Sequence, residues 1–296
     1  MSKKVMIITD STSDLKRITL LNEENERNLN EEKGVFVIPL GVTINDTLYE
    51  DGVNLTVEEE FELIEKYNSM PKTSTINPDL FKETFKKFID EGYDCLYVGI
   101  GGHLSGTLNN AKVAALDFNE DSIFLVDSKS LSTGIGFLVL SACDLRDQGF
   151  SAKEIKDKLE ELREKTVTQF GIHSLEFLHK GGRASGLTFF FGRLLRIKPI
   201  LGMKDGYLGA KNKIVGDDKK VVLFQLDTLL EEYQKDLINT KYLFITHCYS
   251  DESVSLCVEY LKEKNISFEN VYISRAGCVI SSHCGKGTLG LIYNLK

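Results

Sequence analysis

Short apolar runs alternate with helical segments along the first half of the chain, and this rhythm restricts the fold more than any single residue. Val5–Thr9, Val35–Leu40, Tyr93–Ile100 and Ser122–Val126 have the length and composition of strands. Between them, Val57, Phe61, Ile64 and Tyr67 fall on one face of a 3.6-residue repeat. Pro78 stands where the first turn of another helix, running to about Glu91, accepts it. Further helices are expected up to Phe118, through Arg146, and over Ala152–Lys165. Such βαβ units place a parallel sheet between two layers of helices. Beyond residue 165 the rhythm changes. Strands are expected at Thr166–Ile172, Lys198–Met203, Gly206–Gly209, Tyr242–His247 and, last, Phe268–Ser274, with helices at Lys219–Asp236 and Ser253–Lys264. The fold class is therefore α/β in two domains: an N-terminal parallel-sheet domain (1–165) and a smaller C-terminal α+β domain (166–296) with a smaller sheet. The charged run Asn22–Lys33 reads as a solvated helix or loop.

Composition removes several functions. The 36 Lys and Arg against 44 Asp and Glu leave a net charge of −8. With no dense basic run, the chain lacks the positive surface that nucleic acid or an anionic membrane requires. No stretch approaches the roughly 20 apolar residues of a membrane span. The opening MSKKVMIITD runs straight into a strand without a signal-peptide block, so a cytoplasmic location is expected. The six cysteines are scattered, with no CxxC pair, and read as packing residues rather than metal ligands. Cys284, beside His283 in a glycine-rich loop, is the exception to watch.

In an open parallel sheet, ligands sit beyond the carboxyl ends of the strands. Hydroxyls and glycines load four loops there: Asp10–Ser13, Thr73–Thr75, Gly101–Thr107 and Asp127–Thr133. Free N–H groups and hydroxyls at such places suit a small anionic head group. Taken singly, the same Ser and Thr residues are ordinary helix N-caps. A P-loop and a dinucleotide G-x-G-x-x-G after the first strand are both missing. Ser105 is not in G-x-S-x-G, since His103 and Thr107 occupy the flanking positions. His283 reads either as a ligand donor or as a structural histidine bonded to backbone. Asp10 and Asp127, at strand ends, are placed to orient hydroxyls.

In their order and spacing these segments resemble the DegV family. The resemblance rests on Thr9-Asp10-Ser11-Thr12, Thr73-Ser74-Thr75-Ile76-Asn77-Pro78, Leu104-Ser105-Gly106-Thr107, Lys180-Gly181-Gly182-Arg183-Ala184-Ser185, Lys198-Pro199-Ile200-Leu201 and His283-Cys284-Gly285-Lys286-Gly287, and it spans nearly the whole chain. It implies a fatty acid held between the two domains, with no cofactor. Thr73, Ser74, Ser105, Gly106, Thr107 and His283 would surround the head group, with Arg183 as an added charge. It also implies a partner, a fatty acid kinase to which the bound acid is presented for conversion to acyl-phosphate in phospholipid synthesis. Two positions depart from the family pattern: Cys278 replaces the proline of a Gly-Pro pair, and Lys286 replaces a proline after the histidine.

A carrier of this kind needs an apolar tunnel, for which Leu187–Phe191 and Ile197–Met203 are the candidate walls. Arg193, Arg196 and Lys198 form a basic cluster that is either a docking patch or a solvated face. The competing readings are a hydrolase or acyltransferase with Ser105 as nucleophile and His283 as base, and an anion-sensing regulator.

Overall fold

The computed structural model describes residues 4–184, 187 and 197–296. β1 (Lys4–Asp10) ends in a 3-10 turn, Ser11–Ser13, followed by β2 (Ile18–Leu20), β3 (Glu26–Arg27) and a single helical turn, α1 (Leu29–Glu32). β4 (Phe36–Ile38), β5 (Gly41–Ile44), β6 (Thr47–Glu50), α2 (Val57–Tyr67), β7 (Lys72–Ser74) and α3 (Pro78–Asp90) come next. β8 (Tyr93–Gly99), α4 (Thr107–Ala115), β9 (Ile123–Asp127), α5 (Thr133–Asp147) and α6 (Ala152–Leu162) complete the first half. The second half contains β10 (Thr166–Gly171), α7 (Glu176–Lys180), β11 (Ile197–Lys204), β12 (Tyr207–Val215), α8 (Asp218–Gln234), β13 (Ile238–Cys248), α9 (Asp251–Glu263), β14 (Asn270–Arg275), α10 (Cys278–Cys284) and β15 (Thr288–Leu295).

The parallel sheet has the order β4-β1-β8-β9. Successive residues of a strand face opposite sides, and the cores follow that alternation. Ile8, Cys95 and Tyr97 pack with Phe81 and Phe85 of α3 and Ala111 of α4. Val5, Ile7, Leu96 and Val98 pack on the other side with Ile135, Leu138 and Val139 of α5 and Ile155 and Leu159 of α6. Helix α5 is buried almost all round because Tyr242, Phe244 and Ile292 of a second sheet close over its far face. That sheet runs β12-β11-β10-β15-β13-β14-β2-β3, and only β13–β14 is a parallel pair. Its outer face carries α8 and α9 over Leu243, Ile245, Leu289, Leu291 and Tyr293. A small antiparallel sheet, β6-β5-β7, lies beside these two.

The expected α/β class with an all-parallel first sheet is observed. The second sheet is not the smaller one: it has eight strands. Two of them, β2 and β3, come from the first 27 residues and pair through β2 with β14. The charged run 22–33 holds β3 and the turn α1. β14 is not the last strand, since β15 follows and pairs with both β10 and β13. The β5–β6 hairpin was hidden inside a segment without a strand expectation. Its turn, Asn45-Asp46, has φ of 47° and 61°, the left-handed pair a two-residue hairpin favours. Helix α2 begins on a capping box, with the Thr56 hydroxyl accepting from Glu59 N–H at 3.2 Å and the Glu59 carboxylate accepting from Thr56 N–H at 2.8 Å.

Candidate ligand-binding site

Two aspartates, Asp10 buried and Asp127 partly exposed, shape the loops at the carboxyl edge of the parallel sheet. Asp10, fully buried, accepts from the Tyr97 hydroxyl at 2.7 Å, Ile100 N–H at 3.0 Å, and both the N–H and hydroxyl of Thr12. It clamps the ends of β1 and β8 together. Burial raises its pKa, and the four donors offset part of that rise. Asp127 accepts from Gly102 N–H at 3.1 Å and Lys129 N–H at 2.9 Å. Asp10 thus orients hydroxyls as expected, whereas Asp127 orients backbone.

A cavity lies over this edge, with about 600 Å³ of empty space when its open mouth is counted. Thr73, Ser74 and Thr75 of the β7 segment, Ser105 of the loop after β8, Arg183, and His283 of α10 all line it. The Thr73 hydroxyl meets His283 Nε2 at 2.9 Å. Ser105 Oγ lies 2.9 Å from the Thr107 hydroxyl and accepts from Thr107 N–H at 3.3 Å. Asn110 of α4 ties the two hydroxyl loops together, donating to the Thr75 hydroxyl at 3.2 Å and the Ile76 carbonyl at 2.8 Å. The apolar part of the wall comes from Leu104, Leu131, Phe170, Leu178, Leu208 and Ile280. A second cavity, about 360 Å³ of empty space with its opening counted, shares Leu131, Phe170, Ile280 and Cys284 with the first and extends toward β13 and β15.

The charge pattern is one-sided. Among the described residues of the outer cavity wall, Arg183 is the sole cation and carboxylates are absent. Its guanidinium is half-buried and donates to the Leu104 carbonyl at 3.2 Å and the Gly181 carbonyl at 2.6 Å. Burial, with Arg183 nearby, lowers the His283 pKa to about 4, so the ring is neutral at pH 7. Its Nδ1 is buried without a partner. Neutral hydroxyls, a neutral imidazole and one guanidinium make an anion site with an apolar floor.

A family model described as "Uncharacterised protein, DegV family" matches residues 4–296. The chain belongs to the DegV family. It is 32% identical to a DegV domain-containing protein of Listeria monocytogenes over 294 residues, covering 98% of this chain and 99% of the relative. Among solved structures it resembles a DegV family protein from Thermus thermophilus described for fatty acid binding, with TM-score 0.85, 30% identity and 100% of both chains covered. It also shares its fold with the Streptococcus pneumoniae Fatty Acid Kinase (Fak) B3 protein loaded with linoleic acid, with TM-score 0.81, 22% identity and 100% of both chains covered.

In this DegV protein, Thr73, Ser74, Ser105, Arg183 and His283 converge on one cavity, while Gly106 and Thr107 stand behind its wall at the start of α4. The hydroxyl that meets His283 is that of Thr73 and not that of Ser105, whose partner is Thr107. His283 lies on helix α10, not in a loop. The Cys284 thiol also lines the cavity, but burial drives its pKa far above the ordinary value, which disfavours a thiolate. The Lys286 ammonium sits over the Phe61 and Tyr249 rings, at 4.8 and 5.2 Å from their centres, and does not enter the cavity. Cys278 N–H donates to Asp51 at 2.8 Å, a bond that proline could not make.

The wall differs from the one expected. Leu187 is buried in the core, Ile197–Met203 forms β11 outside the wall, and Thr188–Phe191 lie outside the described residues. Arg193 and Arg196 also lie outside them, whereas Lys198 pairs with Asp218. Gly181 was quoted only as motif. A Cβ there would stand 2.2 Å from His283 Nδ1, so the bare backbone makes room for the ring. Glu60 was missed altogether, although it falls on the same helix face as Val57, Phe61 and Ile64, where a carboxylate is out of place.

Proposed function

We propose that this protein binds one long-chain fatty acid, with the carboxylate at Thr73, Ser74, Ser105, His283 and Arg183 and the chain in the two adjoining cavities. The observation that carries this reading is that an anion-compatible rim, free of carboxylates among the described residues, shares four wall residues with a second cavity whose surface is apolar. A sixteen-carbon tail gains roughly 10 kcal/mol gross at about 0.8 kcal/mol per buried methylene, before ordering costs. The head group then needs donors rather than a strong ion pair. In this reading residues before 165 supply most hydroxyls, and residues after it supply His283, Arg183 and most of the second cavity's wall. The fatty acid binding described for the Thermus relative supports the reading.

The same reading makes the protein a carrier subunit that presents the carboxylate to a fatty acid kinase in the cytoplasm. Support comes from the loop resemblance, from the shared fold of the pneumococcal protein, and from six free, buried cysteines that suit a reducing compartment. Solvent extraction of freshly purified protein followed by mass spectrometry tests the binding step. One long-chain acid per chain is expected. Protein that is empty and takes up neither palmitate nor oleate refutes it. Hand-off is tested by acyl-phosphate formation when the loaded protein meets a fatty acid kinase and ATP.

A further inference from the structure

Helix α10 carries His283, and three carboxyl side chains from three separate stretches of the chain accept hydrogen bonds at its two ends. Asp14 accepts from Gly277 N–H at 2.8 Å, and Asp51 accepts from Cys278 N–H at 2.8 Å. Both fix the start of the helix. Glu60 of α2 reaches the other end. The Ser282 hydroxyl bonds Glu60 Oε1 at 2.6 Å, one residue before His283. Glu60 and Ser282 are 0% and 2% exposed. Phe61, next along α2, packs edge-on against Phe177 and lies under the Lys286 ammonium. Consecutive residues of α2 therefore grip the chain on both sides of His283.

His283 depends on such support. Among the described residues its ring has one side-chain hydrogen bond, to Thr73, and Nδ1 has no partner. Nothing on the far nitrogen fixes the ring, so its position follows from the α10 backbone and from the Gly181 surface it rests on. Glu60 has no Lys or Arg partner among the described residues. The charged group acting on it is another acid, Asp51, and burial pushes its pKa well above the carboxylate range. An isolated buried carboxylate is costly enough that such a group keeps its proton. The Ser282 hydroxyl donates to Glu60 Oε1, while Oε2 is buried with no partner among the described residues, and the carbonyl of the amide isostere can accept the same bond.

We propose that Glu60 is a positioning residue for the fatty acid head-group site, acting through Ser282 to hold α10 so that His283 stands against Thr73. This rests on the fatty acid reading above and adds a residue outside the cavity wall.

The test compares palmitate with 1-hexadecanol, which has the same chain but no carboxylate, on the full-length protein. Glu60→Met keeps the volume and removes the hydrogen bond. It is expected to weaken palmitate binding about tenfold, the worth of one buried hydrogen bond, and to leave hexadecanol within about twofold. Glu60→Gln is expected to restore palmitate binding to within about twofold of the parent. Ser282→Ala deletes the same bond from the helix side and should reproduce Glu60→Met, and the double variant should be no weaker than either. Ser282→Ala decides the matter if Glu60→Met does not fold. Unchanged palmitate affinity in Ser282→Ala, equal loss of both ligands, or a Gln variant as weak as Met each overturns the proposal. A parent protein that binds neither ligand overturns the fatty acid reading itself.

Discussion

Replacing Gly181 by alanine tests the link between His283 and Thr73 without touching either residue. Gly181 has φ −77° and ψ −4°, a conformation alanine adopts freely. The backbone therefore has no objection, and the effect comes from the added methyl. Its carbon would lie 2.2 Å from His283 Nδ1 and 2.8 Å from Cε1, while ordinary contact begins at 3.4 Å. The ring must retreat by the difference, 3.4 − 2.2 = 1.2 Å. The Nε2 contact to the Thr73 hydroxyl, now 2.9 Å, does not survive a displacement of that size across the ring. Losing a buried hydrogen bond and leaving a polar group unpaired costs about 1–3 kcal/mol, or roughly five- to 150-fold in affinity. Palmitate dissociation constants by displacement of a fluorescent fatty acid, with thermal unfolding in parallel, provide the measurement. Gly182→Ala is the control. Gly182 has φ +73° and open space around its Cβ position, so alanine there strains the backbone by about 1–2 kcal/mol and leaves affinity unchanged. A Gly181→Ala protein that folds normally and binds palmitate as tightly as the parent refutes the placement of His283 at the head group.

Further outcomes follow from the buried polar groups. The folded-state pKa of His283 lies at about 4, below its ordinary 6.5. Between these values the unfolded chain takes up a proton that the folded chain refuses. The neutral ring's contribution is thus complete above pH 6.5 and is lost as pH falls toward 4, by about 3 kcal/mol. His247 is shifted the same way, and the raised carboxyls Asp10, Asp14, Asp51 and Glu60 act in the opposite direction. Comparing parent with His283→Asn by urea unfolding at pH 7 and pH 4.5 cancels these others. The parent should lose about 2–3 kcal/mol more than the variant, and equal losses would contradict a buried neutral ring. Asp10→Ala removes the acceptor of Tyr97, Ile100 and Thr12 and is expected to cost about 3–5 kcal/mol of stability, seen as a large drop in Tm. If Ser105 were a nucleophile, Ser105→Ala would abolish turnover of an activated ester. Its hydroxyl accepts from Thr107 N–H and meets the Thr107 hydroxyl, so the expected outcome is no turnover in the parent and about 1 kcal/mol of lost stability in the variant.

What was legible in the sequence is what local periodicity encodes. The apolar face of α2 and the proline at the start of α3 placed those helices within a residue of their observed bounds. The strands β1, β8 and β9 announced themselves as short apolar runs because both faces of the sheet are covered. Elements defined by distant partners were not legible. β2 exists because it pairs with β14, some 250 residues later in the chain. The sequence Cys278–Cys284 is rich in β-branched, Ser and Cys residues of low helix propensity. It is helical because Asp14 and Asp51 take its first N–H groups. Reading it as a loop placed His283 in the right neighbourhood but without its support. Ser105 was legible because it sits in a loop whose address, the carboxyl edge of a parallel sheet, topology sets; Thr73 and Ser74, expected in a loop, lie instead in β7 of the small antiparallel sheet, held by pairing with β5. The relation of these hydroxyls to Gly181 and Glu60 was not legible, because it depends on the packing of α10 against α7 and α2.

The division between rim and chamber sets which perturbation matters more. Thr73→Val removes one hydroxyl and its bond to His283, worth about 1–2 kcal/mol and roughly five- to 30-fold in palmitate affinity. Shortening the ligand from palmitate to laurate removes four methylenes, worth about 3 kcal/mol and roughly 200-fold. If the chamber supplies retention and the rim only orientation, the parent with laurate binds more weakly than Thr73→Val with palmitate. The reverse order would mean that the head group carries most of the affinity. A carboxylate held that firmly would be poorly placed for transfer, since a partner enzyme must withdraw it from its donors before reacting with it. Mostly neutral donors at the rim, with the single guanidinium of Arg183, and methylenes in a chamber would avoid that conflict: the tail would keep the ligand bound while the acid group changed partners. Both affinities come from one titration series on two proteins.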